Sequence, residues 1–373
     1  MRETQHSARH HAPTSARRGK LAMSAVAAVA TMTAAATGSA AAHGDRGVST
    51  DVVEPSTTGV GITAETDGAR YHLVVTPKRH RSAKLVVMLP GSNAASSSYG
   101  DFTTHAAELG HAAISLTYPN RGTIGAACQA ADAGESCFTQ ARGEIIFGTG
   151  APDPQGVSYS SDKVSVDAAN SIVGRLIALI DHLAVDDPSW NRFLIHDTLS
   201  PYSATHRGHV WLNYRLLILA GHSQGGGHAA LLAMRAKVDR VVMLSSPDDT
   251  NLATGTAPWI TARSATPLDR FWGLRHEGEG PFGQHVAQVW DVLGGKGIGA
   301  GDNTSEADVG DGSGDRFGSH RLVLPGDLGT PLANHMATAY DGAYLAGVPD
   351  AWTYLLTAEG DRGRGHGHGG HRH

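Results

Sequence analysis

The sequence predicts an α/β protein with a mostly parallel central β-sheet flanked by helices. Three observations carry that expectation. Short apolar, β-branched runs recur along the chain, helix-compatible stretches separate them, and one run ends abruptly at a glycine-bounded turn that opens a helix. That turn lies in residues 217–232, LILAGHSQGGGHAALL, where the apolar run stops at Gly221 and small, alanine-rich sequence follows Gly225. Ser223 stands at its apex. Glycines two before and two after the serine are required, because a Cβ at either would collide with the neighbouring strand or helix while the turn holds Ser223 in strained geometry.

At 373 residues the chain is long enough to bury a substantial core. A hydrophobic fraction of 40% with 17% charged residues is that of an ordinary globular protein, and a formal net charge of -5 argues against a nucleic-acid partner. Residues 1–42 read as an export signal. Arg17-Arg18-Gly19-Lys20 is a positive start that resembles a twin-arginine signal, 21–36 is apolar and uncharged, and Ala40-Ala41-Ala42 supplies small residues for cleavage. That run is too short and too rich in Ala, Thr and Ser for a stable membrane span, so the product is expected to be secreted. The leader holds five basic residues and one acid, so its removal takes the net charge from -5 to -9. Cys128 and Cys137 are the only cysteines. In an exported chain they pair most simply as a disulfide closing a short loop, a contribution of roughly 2 to 3 kcal/mol in the chain-entropy model.

Taken in order, residues 43–68 lack periodicity and form a leader or an edge element, ahead of a domain over 69–360. The runs 71–77 (YHLVVTP) and 84–90 (KLVVMLP) are strands, expected side by side because only a basic turn parts them. The second is apolar throughout, as for a strand covered on both faces, and it ends in Leu89-Pro90-Gly91-Ser92-Asn93. A short helix over 102–110 and a strand over 111–118 follow. Residues 120–160 hold both cysteines and no sustained period, and are expected to be a lid or pocket wall, or else a solvated excursion. The apolar spacing within 165–183 predicts an amphipathic helix, and 190–211 a less regular linker.

Beyond the turn, His228 falls in the first turns of the new helix. Strands are expected at 238–244, ahead of Asp248-Asp249, and at 271–275, ahead of His276-Glu277-Gly278-Glu279. A helix over 284–293 leads to a Gly- and Asp-rich loop over 294–318. Its Asp302, Asp308, Asp311 and Asp315 lack the spacing and terminal Glu of a calcium loop, so no metal is assigned there. His320 precedes the last strand, 321–324, and His335 follows it. A helix over 351–358 closes the domain. The tail 361–373 contains little but Arg, Gly and His, with His366, His368, His371 and His373. It cannot bury a core, and weak metal binding there is incidental.

The G-x-S-x-G turn between strand and helix resembles the nucleophile elbow of the α/β-hydrolase superfamily, and the order of strands after it is similar. The resemblance implies an α/β-hydrolase fold with Ser223 as nucleophile, His335 as base, and an acid after the second strand beyond the elbow, Glu277 or Glu279. The rarer position for the acid selects Asp248 or Asp249. His228 is ill placed as base, being carried along the helix, and His320 lies at the wrong end of its strand. The oxyanion donors implied are the N–H of Ser92 or Asn93 and the N–H of Gln224. Such a site hydrolyses carboxylic esters through an acyl-enzyme and needs no cofactor. Its substrate is a small or polymeric ester. The alternative is a non-catalytic hydrolase-fold surface protein that binds a ligand or metal.

Overall fold

The computed structural model describes residues 47–64, 70–79, 82–130, 133–251, 253–299, 306–309 and 318–359. The export signal, the His-rich tail, and Asp302, Asp311 and Asp315 lie outside them. The chain divides into two units, Met1–Gly44 and Asp45–His373, and every described residue belongs to the second.

Nine strands make one sheet: β1 Val48–Val53, β2 His72–Pro77, β3 Leu85–Leu89, β4 Ala112–Ser115, β5 Leu217–His222, β6 Arg240–Leu244, β7 Phe271–His276, β8 Glu306–Asp308 and β9 Arg321–Leu324. Their spatial order is β1-β2-β4-β3-β5-β6-β7-β9-β8. β2 runs antiparallel to both of its neighbours, and all other pairs are parallel. This is an α/β fold with a mostly parallel central sheet flanked by helices. β3, β5 and β6 are buried at every position, which is why they read as unbroken apolar runs.

The sheet departs from expectation in two places. β2 and β3 are not side by side, because β4 lies between them. The link through 78–84 need only cover two strand spacings, about 10 Å, which so short a connection spans. The loop expected over 294–318 also contributes an edge strand, β8, paired in parallel with β9.

Nine helices are described: α1 Gly100–Glu108, α2 Ile124–Cys128, α3 Cys137–Phe147, α4 Ile172–Asp186, α5 Gln224–Arg235, α6 Pro258–Thr261, α7 Pro281–Val292, α8 Pro331–Met336 and α9 Val348–Thr357. On one face of the sheet, Val87, Leu219 and Met243 share a core with α3, α4 and α5. On the other, Val86, Ile218 and Trp272 pack with Phe102 of α1 and Trp352 of α9. α4 starts later than its apolar spacing suggested, because the Ser171 hydroxyl caps it by accepting from the Gly174 N–H at 3.0 Å. No helix among the described residues is long and apolar enough to cross a membrane.

Within 120–160, Cys128 and Cys137 are joined as a disulfide between the end of α2 and the start of α3. α3 is buried from Ala141 to Phe147, including Arg142 and Glu144. The Glu144 carboxylate accepts from the N–H groups of Ser161 and Val166 and from the Thr149 hydroxyl, which draws the following loop onto the helix.

Candidate active site

β5 delivers Ser223 with φ 55° and ψ -124°, a conformation unfavourable for a residue with a Cβ. The Ser223 N–H donates to the Leu244 carbonyl at 2.9 Å, anchoring the turn to β6. The glycine requirement is visible in the contacts. A Cβ on Gly221 would lie 2.4 Å from the Gly225 carbonyl, and one on Gly225 would lie 2.0 Å from the Leu89 carbonyl oxygen. The turn tolerates nothing larger.

Gln224 opens α5, so its N–H has no acceptor within the helix. Its side-chain Oε1 accepts from the Ser92 hydroxyl and from the Ile124 N–H, each at 2.9 Å, which ties the elbow to the 91–93 loop and to α2. A Cβ on Gly91 would stand 3.1 Å from the Ser223 Cβ, so this loop lies directly against Ser223. Asn93 is a different matter. Its N–H donates to the Asn120 carbonyl at 3.0 Å, and with φ 59° it forms the far side of the turn. That amide is committed to the loop, which leaves Ser92 beside Gln224.

Of the four candidate acids, one meets the histidine. Glu279 Oε2 accepts from His335 Nδ1 at 2.9 Å, while its Oε1 accepts from the Ser245 hydroxyl at 2.8 Å and the His276 N–H at 2.7 Å. Only 2% exposed, the carboxylate has a donor for each oxygen. Glu277 is exposed and accepts from the Gly326 N–H at 2.6 Å. Asp249 is bound in the core by Arg142 through Nε at 2.6 Å and Nη2 at 2.5 Å, and by Trp259 Nε1 at 2.8 Å. Asp248 keeps its proton more firmly than usual. Burial first, and then the Asp249 and Glu279 carboxylates, push its pKa up to about 8.

His335 rides on α8, which Thr330 caps by accepting from the Ala333 N–H at 3.1 Å. Its ring packs 4.6 Å from the His222 ring and edge-on against Phe282 at 4.6 Å. His222 immediately precedes Ser223, so the base candidate stands beside the elbow. No hydrogen bond joins the Ser223 hydroxyl to the His335 ring in this structure. His228 is turned edge-on to Tyr118 at 5.5 Å, and burial with the nearby Arg142 charge holds it well below the usual histidine pKa. His320 stacks on Trp272 at 3.7 Å, at the start of β9 and so at the opposite end of the sheet.

Sequence reading missed Arg142, Ser245, Tyr99 and His222 as parts of the site. The Arg142 Nη1 donates to the Gln224 carbonyl at 2.8 Å, and Ser245, with φ 48°, hands its hydroxyl to Glu279. Polar residues inside an apolar stretch, Arg142-Gly143-Glu144 before Ile145-Ile146-Phe147, were the one visible signal. Among the described residues no group of three or more His, Cys, Asp or Glu is gathered as a metal site.

No protein-family model and no curated protein sequence matches the chain. Among solved structures the chain is similar to esterase B from Lactobacillus rhamnosis in a C6-C4 SN3-inhibited form, at 12% identity over 75% of this chain and 76% of that one, with a TM-score of 0.35. A second form of the same esterase, with a C4-C4 SN3 tributyrin phosphonate, gives 12% identity over 75% of each chain and a TM-score of 0.33. A third structure of that esterase matches at 12% identity over 75% of each chain, with a TM-score of 0.34.

Proposed function

We propose that the chain is a serine hydrolase that cleaves carboxylic esters through an acyl-enzyme on Ser223, with His335 as general base and Glu279 as the orienting acid. The observation that carries this reading is the 2.9 Å hydrogen bond from His335 Nδ1 to the buried Glu279 carboxylate, on a ring packed against the residue before the strained serine. With Nδ1–H held by the carboxylate, the Nε2 lone pair is the one available to take a proton.

The Ser223 hydroxyl would lose its proton to His335 Nε2 as its oxygen attacks the ester carbonyl. The imidazolium then returns that proton to the departing alcohol, and water hydrolyses the acyl-enzyme by the same route. Hydrogen bonds of this kind tighten when substrate binds, so the serine and histidine need not be joined beforehand. The N–H groups of Ser92 and Gln224 would hold the oxyanion, each contributing about 3 to 4 kcal/mol in the transition state. Guanidinium and carboxamide contacts on Gln224 support that role by holding its peptide still.

The test is labelling by an alkyl fluorophosphonate, located by mass spectrometry, together with turnover of acyl esters of increasing chain length. Labelling of Ser223 and turnover lost in Ser223→Ala are expected. A folded wild-type protein that shows neither would be a non-catalytic binder instead. We infer also that residues 1–42 direct export, in which case the protein recovered from the medium begins at His43. A product that stays in the cell with those residues attached would overturn that inference.

A further inference from the structure

His222 ends β5, where strand alternation sends its side chain to the sheet face that carries Ile218, Ala220 and Tyr99. There it makes two hydrogen bonds. Nε2 meets the His335 carbonyl oxygen at 3.0 Å, and Nδ1 meets the Tyr99 hydroxyl at 2.9 Å. A carbonyl only accepts, so Nε2 carries the proton and Nδ1 is the acceptor, which the Tyr99 O–H fills. The Tyr99 oxygen in turn accepts from the Gly91 N–H at 3.1 Å. One arrangement of protons satisfies every group in the chain Gly91, Tyr99, His222, His335.

The ends of that chain matter. Gly91 begins the loop whose next residue, Ser92, is the oxyanion candidate. The His335 carbonyl lies in the last turn of α8, where a helix leaves carbonyls without backbone donors. It takes the His222 Nε2–H at 3.0 Å, with longer contacts to the Ser245 hydroxyl at 3.4 Å and the Thr338 hydroxyl at 3.3 Å. A helix of six residues has little rigidity of its own.

We propose that His222 is a positioning residue: it locks the helix carrying His335 to the elbow carrying Ser223 and, through Tyr99, registers both against the oxyanion loop. This rests on the reading of Ser223 and His335 as nucleophile and base. Burial, then the neighbouring His335, hold the His222 pKa down to about 3, so the ring stays neutral and keeps this one donor pattern in ordinary buffers.

The experiment compares His222→Leu, which removes both bonds, with His222→Gln, which keeps an N–H donor for the His335 carbonyl, and with Tyr99→Phe. Misplacing a base by a fraction of an ångström lowers turnover steeply, so kcat on a soluble ester is expected to fall about 10- to 100-fold in His222→Leu with KM little changed. His222→Gln should recover most of that loss, and Tyr99→Phe should fall between. Phosphonate labelling of Ser223 is followed in each protein. If the wild type is not labelled, the hydrolase reading fails. If it is labelled and His222→Leu is labelled at the same rate, only the positioning role fails. Should His222→Leu not fold, His222→Gln and Tyr99→Phe decide, together with the ¹⁵N signals of His222 in the wild type. Those signals should report an Nε2–H tautomer at neutral pH, and an Nδ1–H tautomer would overturn the proposal.

Discussion

Glu279, on a short turn after β7, and His335, 56 residues later on α8, meet through a 2.9 Å hydrogen bond whose acceptor is buried and fully partnered. The Ser245 hydroxyl and the His276 N–H hold the other carboxylate oxygen, so the acid cannot swing away from the ring.

Glu279→Gln should therefore lower kcat by about 1,000- to 10,000-fold with KM nearly unchanged, since an amide favours the wrong imidazole tautomer. Glu277→Gln, on the surface, should leave kcat close to wild type. Steady-state kinetics on a soluble ester checks both, and equal losses in the two variants would remove Glu279 from the site.

The strained backbone of Ser223 predicts a separation of stability from activity. Ser223→Ala and Ser223→Gly should both abolish turnover, but only glycine relieves the positive φ. After the entropic cost of glycine in the unfolded chain, Ser223→Gly should be about 1 kcal/mol more stable than Ser223→Ala. Urea denaturation of the pair is the measurement.

Arg142 and Asp249 form an ion pair in which the two side chains are 5% and 0% exposed, directly behind the Gln224 peptide. Arg142→Met leaves the carboxylate buried without its partner and should cost about 3 to 5 kcal/mol. Adding Asp249→Asn should recover part of that loss, read as a rise in the denaturation midpoint over the single variant.

Asp248 and the buried histidines give opposite pH dependences. With Asp248 raised to about 8 from 3.8, the unfolded chain releases this proton first as pH rises, so stability declines across that window. Asp248→Asn should melt higher than wild type at pH 8, and the gain should shrink towards pH 4. His72 and His222, both held down to about 3 chiefly by burial, act the other way. Their unfolded forms take up protons below 6.5, so wild-type stability should fall as pH drops from 6.5 towards 3. Thermal melts across this range test both signs.

What the sequence determined by itself were the features set by local chemistry. The elbow was legible because its glycines answer to collisions within a few residues of Ser223, and the central strands because burial on both faces leaves unbroken apolar runs. His335 could be named as a candidate base from its place after the last strand, and the role itself is a proposal. α3 could not be read, since a helix buried on all sides and carrying Arg142 and Glu144 shows no apolar stripe. Nor could the neighbour of β2, because strand order depends on how the chain crosses over the sheet. Choosing Glu279 over Glu277 needed the tertiary structure as well. The two carboxylates are two residues apart on one short turn, and only the direction in which that turn faces α8 decides which of them meets His335. The same holds for His222, whose neighbours Tyr99 and the His335 carbonyl lie more than 100 residues away on either side.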